Sequence, residues 1–345
     1  MCGGDVPGGT SHNDTRSATK QMGLFEQTAR TVAIGVDLGG TWVKFAAVDR
    51  AGRVAARDLL ETPRRGVPRL LIPRIISKVR GLIDSLDPGT RVVGIGVGVP
   101  GLVDFERGRI RTLINIAGWA DVPLQANLER ALNLPVRVDN DVNAMSLGEL
   151  FFGAARGVRH AVCVTLGTGV GGGLILDGHL YRGSSFSAGE VGHIPINEEG
   201  PSCNCGGVAC LECYVGNRAA LAEARREWPK IGLLRRRVGP DARRLTLEDL
   251  TWAARRGDTF SRNFWHRLGV RIGVALSGVV NLLNPDRIVV GGGMAQAGPF
   301  LLKGIRESIQ LRAMSYPARH VRVVVANLGT DAGVIGAASL ILEGR

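Results

Sequence analysis

The chain of 345 residues contains no uninterrupted apolar run of about 18 residues, the length needed to cross a membrane as a helix. No transmembrane helix is expected on that ground. No apolar signal-peptide core opens the chain either, which points to the cytoplasm and to reduced thiols. Cysteine is sparse: Cys2, Cys163, Cys203, Cys205, Cys210 and Cys213, four of them within eleven positions. A chain this long can bury a sizeable core without staples, so metal binding is a better reading of the cluster than a disulfide framework. Lysine is scarcer still, only five of the 43 basic residues, yet the formal net charge is +12. The arginines crowd between Arg218 and Arg271, including Arg235 to Arg237, in segments that otherwise read as amphipathic helix. The expectation is a solvated face, with a track for polyphosphate or nucleic acid as the alternative.

Glycine is what the chain has in excess: 49 residues, without a collagen period, so turns and backbone-lined sites are expected. Residues 1–30 are polar and read as a disordered leader, within which Met22 offers a second translation start. Apolar runs at 32–36, 42–48 and 53–59 then predict a β-meander. Helical spacing follows over 67–86, where Pro68 and Pro73 are expected to confine the helix to its later part. Residues 91–99 predict a buried strand.

A repeat is countable. Val36-Asp37-Leu38-Gly39-Gly40-Thr41 matches Val164-Thr165-Leu166-Gly167-Thr168-Gly169 at an offset of 128, and the same offset places Ala46 to Asp49 on Leu174 to Asp177. Both copies read strand, glycine turn, strand, which implies two related domains. Glycine turns let backbone N–H groups approach an anion closely, so the pair predicts a phosphate clamp. Asp37 and Lys44 flank the first turn, where the carboxylate could hold hydrated Mg²⁺; Thr168 and Gly169 belong to the second. A third turn, Gly291-Gly292-Gly293, follows a strand at 287–290, and a last helix near 331–342 is expected to cross back onto the first domain.

Between the hairpins, Asn140 and Asp141 fall where a strand meets a helix running to Leu150. Asp141 reads either as a functional carboxylate at a helix N-terminus or as a plain cap. Farther on, His193, Cys203, Cys205 and Cys210 stand in the order H-x9-C-x-C-x4-C, a four-ligand set suited to structural zinc, with Cys213 as a substitute ligand or a buried thiol. Such a metal would fix the loop bearing Glu190 and Glu212, acceptors suited to sugar hydroxyls. Asn115 adds a polar contact, and Trp119 reads equally as a pocket wall or as core.

Taken in order, these motifs resemble the ROK family (repressor, open reading frame, kinase) of sugar kinases from about Thr31 onward. The resemblance implies an α/β fold of the actin-like, hexokinase-like ATPase type, two ribonuclease-H-like domains with a cleft between them. The first would span 31–140, with helix 331–345 packing back, and the second 141–330, with a zinc-binding loop at 193–213. It implies ATP-dependent phosphorylation of a hexose at its 6-hydroxyl, with glucose favoured, N-acetylmannosamine, N-acetylglucosamine, fructose or allose open, and polyphosphate as an alternative donor. Asp141 would be the general base. Asn140, Glu190, His193 and Glu212 would bind the sugar, with Gly101 and Asn115 beside them. Asp37, Gly39, Gly40, Thr41, Lys44, Thr168 and Gly169 would hold ATP phosphates and Mg²⁺, and Gly291 to Gly293 would lie near adenosine. His193, Cys203, Cys205 and Cys210 would hold structural Zn²⁺. A homodimer or homotetramer is expected. Members that repress transcription carry a helix-turn-helix, and the polar residues before the first strand show no such pattern, so nucleic acid is not the expected partner. One departure stands in the metal motif, where Ala209 replaces the family's usual glycine.

Overall fold

A computed structural model describes residues 30–63, 67–113, 116, 118–227 and 232–343. The leader expected at 1–30, apart from Arg30, and Asn115 lie outside the described residues.

The first half runs β1 (Thr31–Leu38), β2 (Trp42–Asp49), β3 (Val54–Glu61), α1 (Pro68–Asp84), β4 (Arg91–Val99), β5 (Gly101–Asp104), β6 (Arg109–Leu113), β7 (Ala120–Val122), α2 (Leu124–Leu132), β8 (Val136–Asn140) and α3 (Asp141–Phe152). The second begins with β9 (Ala161–Leu166), β10 (Val170–Leu176), β11 (His179–Tyr181), α4 (Glu212–Val215), α5 (Asn217–Arg226), α6 (Gly232–Val238), α7 (Leu247–Arg255) and α8 (Thr259–Leu283). It ends with β12 (Arg287–Gly291), α9 (Pro299–Arg312), α10 (Ser315–His320), β13 (Arg322–Val325) and α11 (Ala332–Leu342).

Two five-stranded sheets have the same plan, β3-β2-β1-β4-β8 and β11-β10-β9-β12-β13. In each, the first three strands are antiparallel and the last two join in parallel. The counted repeat is thus a repeat of topology, with one correction. Leu38 pairs with Val43, but Leu166 pairs with Val170, so the second turn is one residue shorter. Beyond the turn the spatial offset is 127, and Ala46, opposite Gly35, corresponds to Gly173, opposite Cys163. A second correction concerns α1, which starts at Pro68 itself and contains Pro73. Proline at the first helical position lacks only an N–H that has no helical partner there, and Pro73 forfeits a single bond close to the same end.

Helices α3 and α11 lie between the sheets. α11 is buried on nearly every side and packs on β1 and β4. Its close approach needs Gly35 and Gly96: a Cβ on either would stand within 2 Å of the carbonyl oxygen of Val334 or Ala337. On its other side α11 packs against α3. The chain leaves the first sheet through α3 and returns through the segment before α11. Both passages meet at Glu149, a fully buried side chain that accepts the N–H groups of Ala154 (2.6 Å), Asn327 (3.1 Å) and Leu328 (2.9 Å).

Part of the arginine-rich stretch is engaged within the protein, while Arg235 and Arg236 are exposed. Arg225 donates to the carbonyls of Ala242, Arg243 and Leu245, and Arg267 and Arg271 pair with Glu223. Arg237 and Arg256 both lie over the Trp252 ring, at 4.4 and 4.2 Å from its centroid. No helix among the described residues is long and apolar enough to cross a membrane.

Candidate active site

At the junction of β8 and α3, Asn140 is the helix cap. Its Oδ1 accepts the N–H groups of Val142 (2.8 Å) and Asn143 (3.2 Å), and its Nδ2 donates to the Gly101 carbonyl at 3.1 Å. Asp141 is therefore the first residue of the helix and not its cap. Its half-buried carboxyl is pushed up to about 7, first by burial, then by the Asp37 carboxylate and by Glu190, against opposing backbone N–H groups. A group poised there can accept a proton near neutral pH.

Asp37 ends β1 half-buried. Burial raises its carboxyl above the ordinary range, and Lys44, with Nζ 4.0 Å away, opposes the rise. Lys44 also donates to the Thr330 carbonyl at 3.3 Å. The turn between β1 and β2 closes through the Gly39 N–H on the Trp42 carbonyl and is braced by the Thr62 hydroxyl on the Gly39 carbonyl (2.8 Å), leaving Gly40 and Thr41 exposed. Thr62 was not visible as a site residue in the sequence, because the contact spans 23 positions. In the second hairpin, Gly167 N–H bonds to the Gly169 carbonyl and Thr168 is exposed at the tip. Gly291 closes β12, and Gly292, at a φ of 83°, lies against the Leu166 backbone. The third turn therefore sits at the base of the second.

Gly172 explains how the next loop reaches this place. A Cβ there would stand 2.2 Å from the Gly189 carbonyl oxygen, so only glycine lets the segment lie on β10. Glu190 follows, with Oε2 3.8 Å from His193 Nε2. Burial, followed by Glu212, raises the Glu190 carboxyl, and His193 opposes the rise. The other histidine nitrogen, Nδ1, lies 3.5 Å from Cys203 Sγ, and Cys205 and Cys210 are 3.7 Å apart. All four donor atoms fall within 4.8 Å of one another. Tetrahedral zinc with these ligands spaces its donors by about 3.3 to 3.8 Å, so the set fits a zinc ion. Mini-bridges from Pro195 to Cys210 and from Ser202 to Val208 hold the loop. Ala209 adopts a left-handed φ of 56°, the conformation that glycine would take at no steric cost.

Burial and contacts place the remaining candidates. Trp119 is core, 2% exposed, beside Ile110 and Leu124. Gly101 is buried, and its carbonyl accepts from Asn140 Nδ2. Cys213 stands outside the four-donor cluster, its Sγ 3.8 Å from the Ser202 carbonyl. Cys163 is core, its thiol pushed up to about 12 by burial. Sequence reasoning missed Arg182, whose guanidinium meets the buried Asp139 carboxylate at 2.7 Å two positions before Asp141.

Paired sheets of ribonuclease-H type, separated by two crossing helices and bearing glycine hairpins at one end, define the actin-like, hexokinase-like ATPase architecture. The ROK family pattern matches residues 33–343, and the chain belongs to that family. It is 35% identical to a glucokinase of Halalkalibacterium halodurans over 90% of this chain and 94% of the other. A ROK family glucokinase from Streptomyces griseus, solved in complex with glucose and AMPPNP, superposes with a TM-score of 0.79 at 33% identity, covering 91% of this chain and all of the other. A xylose repressor of Caldicellulosiruptor bescii is 29% identical over 90% of this chain and 78% of its own length.

Proposed function

We propose that this chain transfers the γ-phosphoryl group of ATP to the 6-hydroxyl of glucose. The observation that carries the reading is the Asp141 carboxyl, held near neutrality at a helix start, under the field of Asp37 on one side and Glu190 on the other. The similarity to glucokinases over nine-tenths of the chain supports the same conclusion.

Phosphoryl transfer needs alignment, charge neutralisation and a group to receive the attacking hydroxyl's proton. Asp141 receives that proton. Glu190, His193 and Glu212 hold the other sugar hydroxyls, and Asn140 fixes the base by capping its helix. The backbone of Gly39, Gly40, Thr41 and Gly169, with the Thr168 hydroxyl, receives the phosphates, Lys44 stands beside Asp37, and adenosine lies toward Gly291 to Gly293. Asp37 suits a hydrated Mg²⁺, which when bound neutralises phosphate charge. Zinc on His193, Cys203, Cys205 and Cys210 holds the sugar loop in shape. Arg225, Arg237, Arg255, Arg262, Arg267 and Arg271 are engaged with carbonyls and carboxylates, which leaves fewer of them for a polyphosphate and favours ATP as donor. Unpaired cysteines and an ATP substrate suit the cytoplasm, and a homodimer or homotetramer is the assembly we expect.

The test is ADP release with glucose, fructose, allose, N-acetylglucosamine and N-acetylmannosamine as acceptors, with ATP and then polyphosphate as donor. The expected result is the highest kcat/KM with glucose and ATP. No turnover with any of these sugars would overturn the reading.

A further inference from the structure

The base Asp141 and the sugar-facing Glu190 come from segments 49 residues apart, one at the end of β8 in the first sheet and one in the loop after β11 in the second. Something must hold them in register to within a fraction of an ångström if they are to act on one hexose. Asp139 and Arg182 stand between the two segments. The Asp139 side chain is 3% exposed and that of Arg182 19%. Arg182 Nε and Nη2 converge on Asp139 Oδ2 at 2.8 and 2.7 Å.

Each partner also grips the segment that carries a site residue. Asp139 Oδ1 accepts the Asn140 N–H at 2.7 Å and the Asn143 Nδ2 at 3.0 Å, so it holds the chain on both sides of Asp141. Arg182 accepts the Ala188 N–H on its carbonyl at 3.0 Å, which closes the loop that delivers Glu190. Its guanidinium carbon lies over Phe105, 3.6 Å from the ring centroid, at the turn between β5 and β6. Three segments far apart in sequence are thus tied at one cation. A buried ion pair adds little net stability over an apolar pair of the same volume, since desolvation offsets most of the attraction. What it adds is direction: two converging donors and a flat face admit one geometry.

We propose that the Arg182–Asp139 pair is the positioning element that sets Asp141 against Glu190, making the start of α3 and the 182–190 loop one unit. The proposal rests on the phosphotransfer reading for its kinetic arm and on the geometry alone for its second arm.

Arg182→Lys keeps the charge but loses the second donor and the stacked plane. The expected result is a kcat with glucose reduced by about tenfold to a hundredfold, the cost of a small misplacement, while the KM for ATP stays within about twofold. The Asp139→Asn, Arg182→Gln double variant keeps a hydrogen bond without charge and should recover part of the loss seen in either single variant. Amide exchange supplies the second arm. Arg182→Lys should speed exchange at 183–190 and at Val142 and Asn143 together, and leave α8 and α9 unchanged. If Arg182→Lys does not fold, Phe105→Leu, which removes only the ring beneath the guanidinium, takes its place with the same expectations. A folded variant with wild-type kcat and unchanged exchange in both segments overturns the proposal. If the wild-type chain phosphorylates no hexose, the functional reading fails, and exchange alone then decides the pair: faster in both segments upholds it, unchanged overturns it.

Discussion

Glu212 Oε2 accepts the backbone N–H of Val170 at 2.8 Å. Glu212 stands two residues past the last cysteine of the metal cluster, and Val170 is the first residue of β10 after the second glycine turn. One carboxylate therefore links the loop proposed to hold the sugar to the hairpin proposed to hold phosphate. Glu212→Ala should raise the KM for glucose and for ATP alike, each by about tenfold, the worth of a hydrogen bond to a charged group. Glu212→Gln retains an acceptor for Val170 and should affect glucose alone. A methyl group at Gly169 would stand 2.5 Å from that same oxygen, so Gly169→Ala should reproduce the double effect. Steady-state kinetics with each substrate varied in turn decides this; a change confined to one substrate in Glu212→Ala would refute the shared role.

The Asp141 carboxyl at about 7 has two consequences of opposite benefit. Only the ionised form accepts a proton, so kcat/KM should fall about tenfold per unit as pH drops below 7. In the unfolded chain an aspartate releases its proton near 3.9, so between about 4 and 7 the native state binds more protons and stability falls as pH rises. Asp141→Asn removes that penalty. It should lower kcat by about 10² to 10⁴ and leave the thermal midpoint at pH 8 equal to or above the wild type's. Melts and rates at pH 6 and pH 8 test both statements, and a lower midpoint at pH 8 would count against the burial argument.

Elemental analysis should find about one zinc per chain. Cys203→Ala and Cys210→Ala should lose it, while Cys213→Ala, outside the cluster, should keep it. Chelation should raise the KM for glucose and lower the thermal midpoint, since the proposed function gives His193 both a metal-facing and a sugar-facing role. Equal zinc in the Cys203→Ala protein would dismiss the site.

Ala209 is fully buried at a left-handed φ that costs a side-chain-bearing residue about 1 to 2 kcal/mol. Glycine recovers most of that but adds unfolded-state entropy of about 0.5 to 1 kcal/mol. Ala209→Gly should therefore raise stability by up to about 1 kcal/mol, read as a higher denaturant midpoint with zinc bound. A lower midpoint would mean that the methyl packs better than it strains.

The sequence made the local features legible and hid the long-range ones. Both hairpins, the Asn140–Asp141 junction and the four metal donors announce themselves by spacing, because turn chemistry and chelation act over few residues. The one-residue difference between the hairpins was invisible, since Gly167 aligns with Gly39 at an offset of 128 and with Gly40 at 127. Pro68 misled because proline breaks a helix interior but is welcome at its start. Trp119 was ambiguous for want of any periodic neighbour and is settled only by the core around it. The role of Arg182 could not be read at all: an arginine after a short edge strand looks like any solvated cation until folding brings Asp139 and Phe105 to it.

The clasp formed by Glu149 bears on how such a molecule can bend. Its three backbone bonds fasten the outgoing strand of chain to the returning one, so the two tethers cannot slide past each other like rails. Sliding one crossover against the other would first break those bonds and strand a fully buried carboxylate without partners.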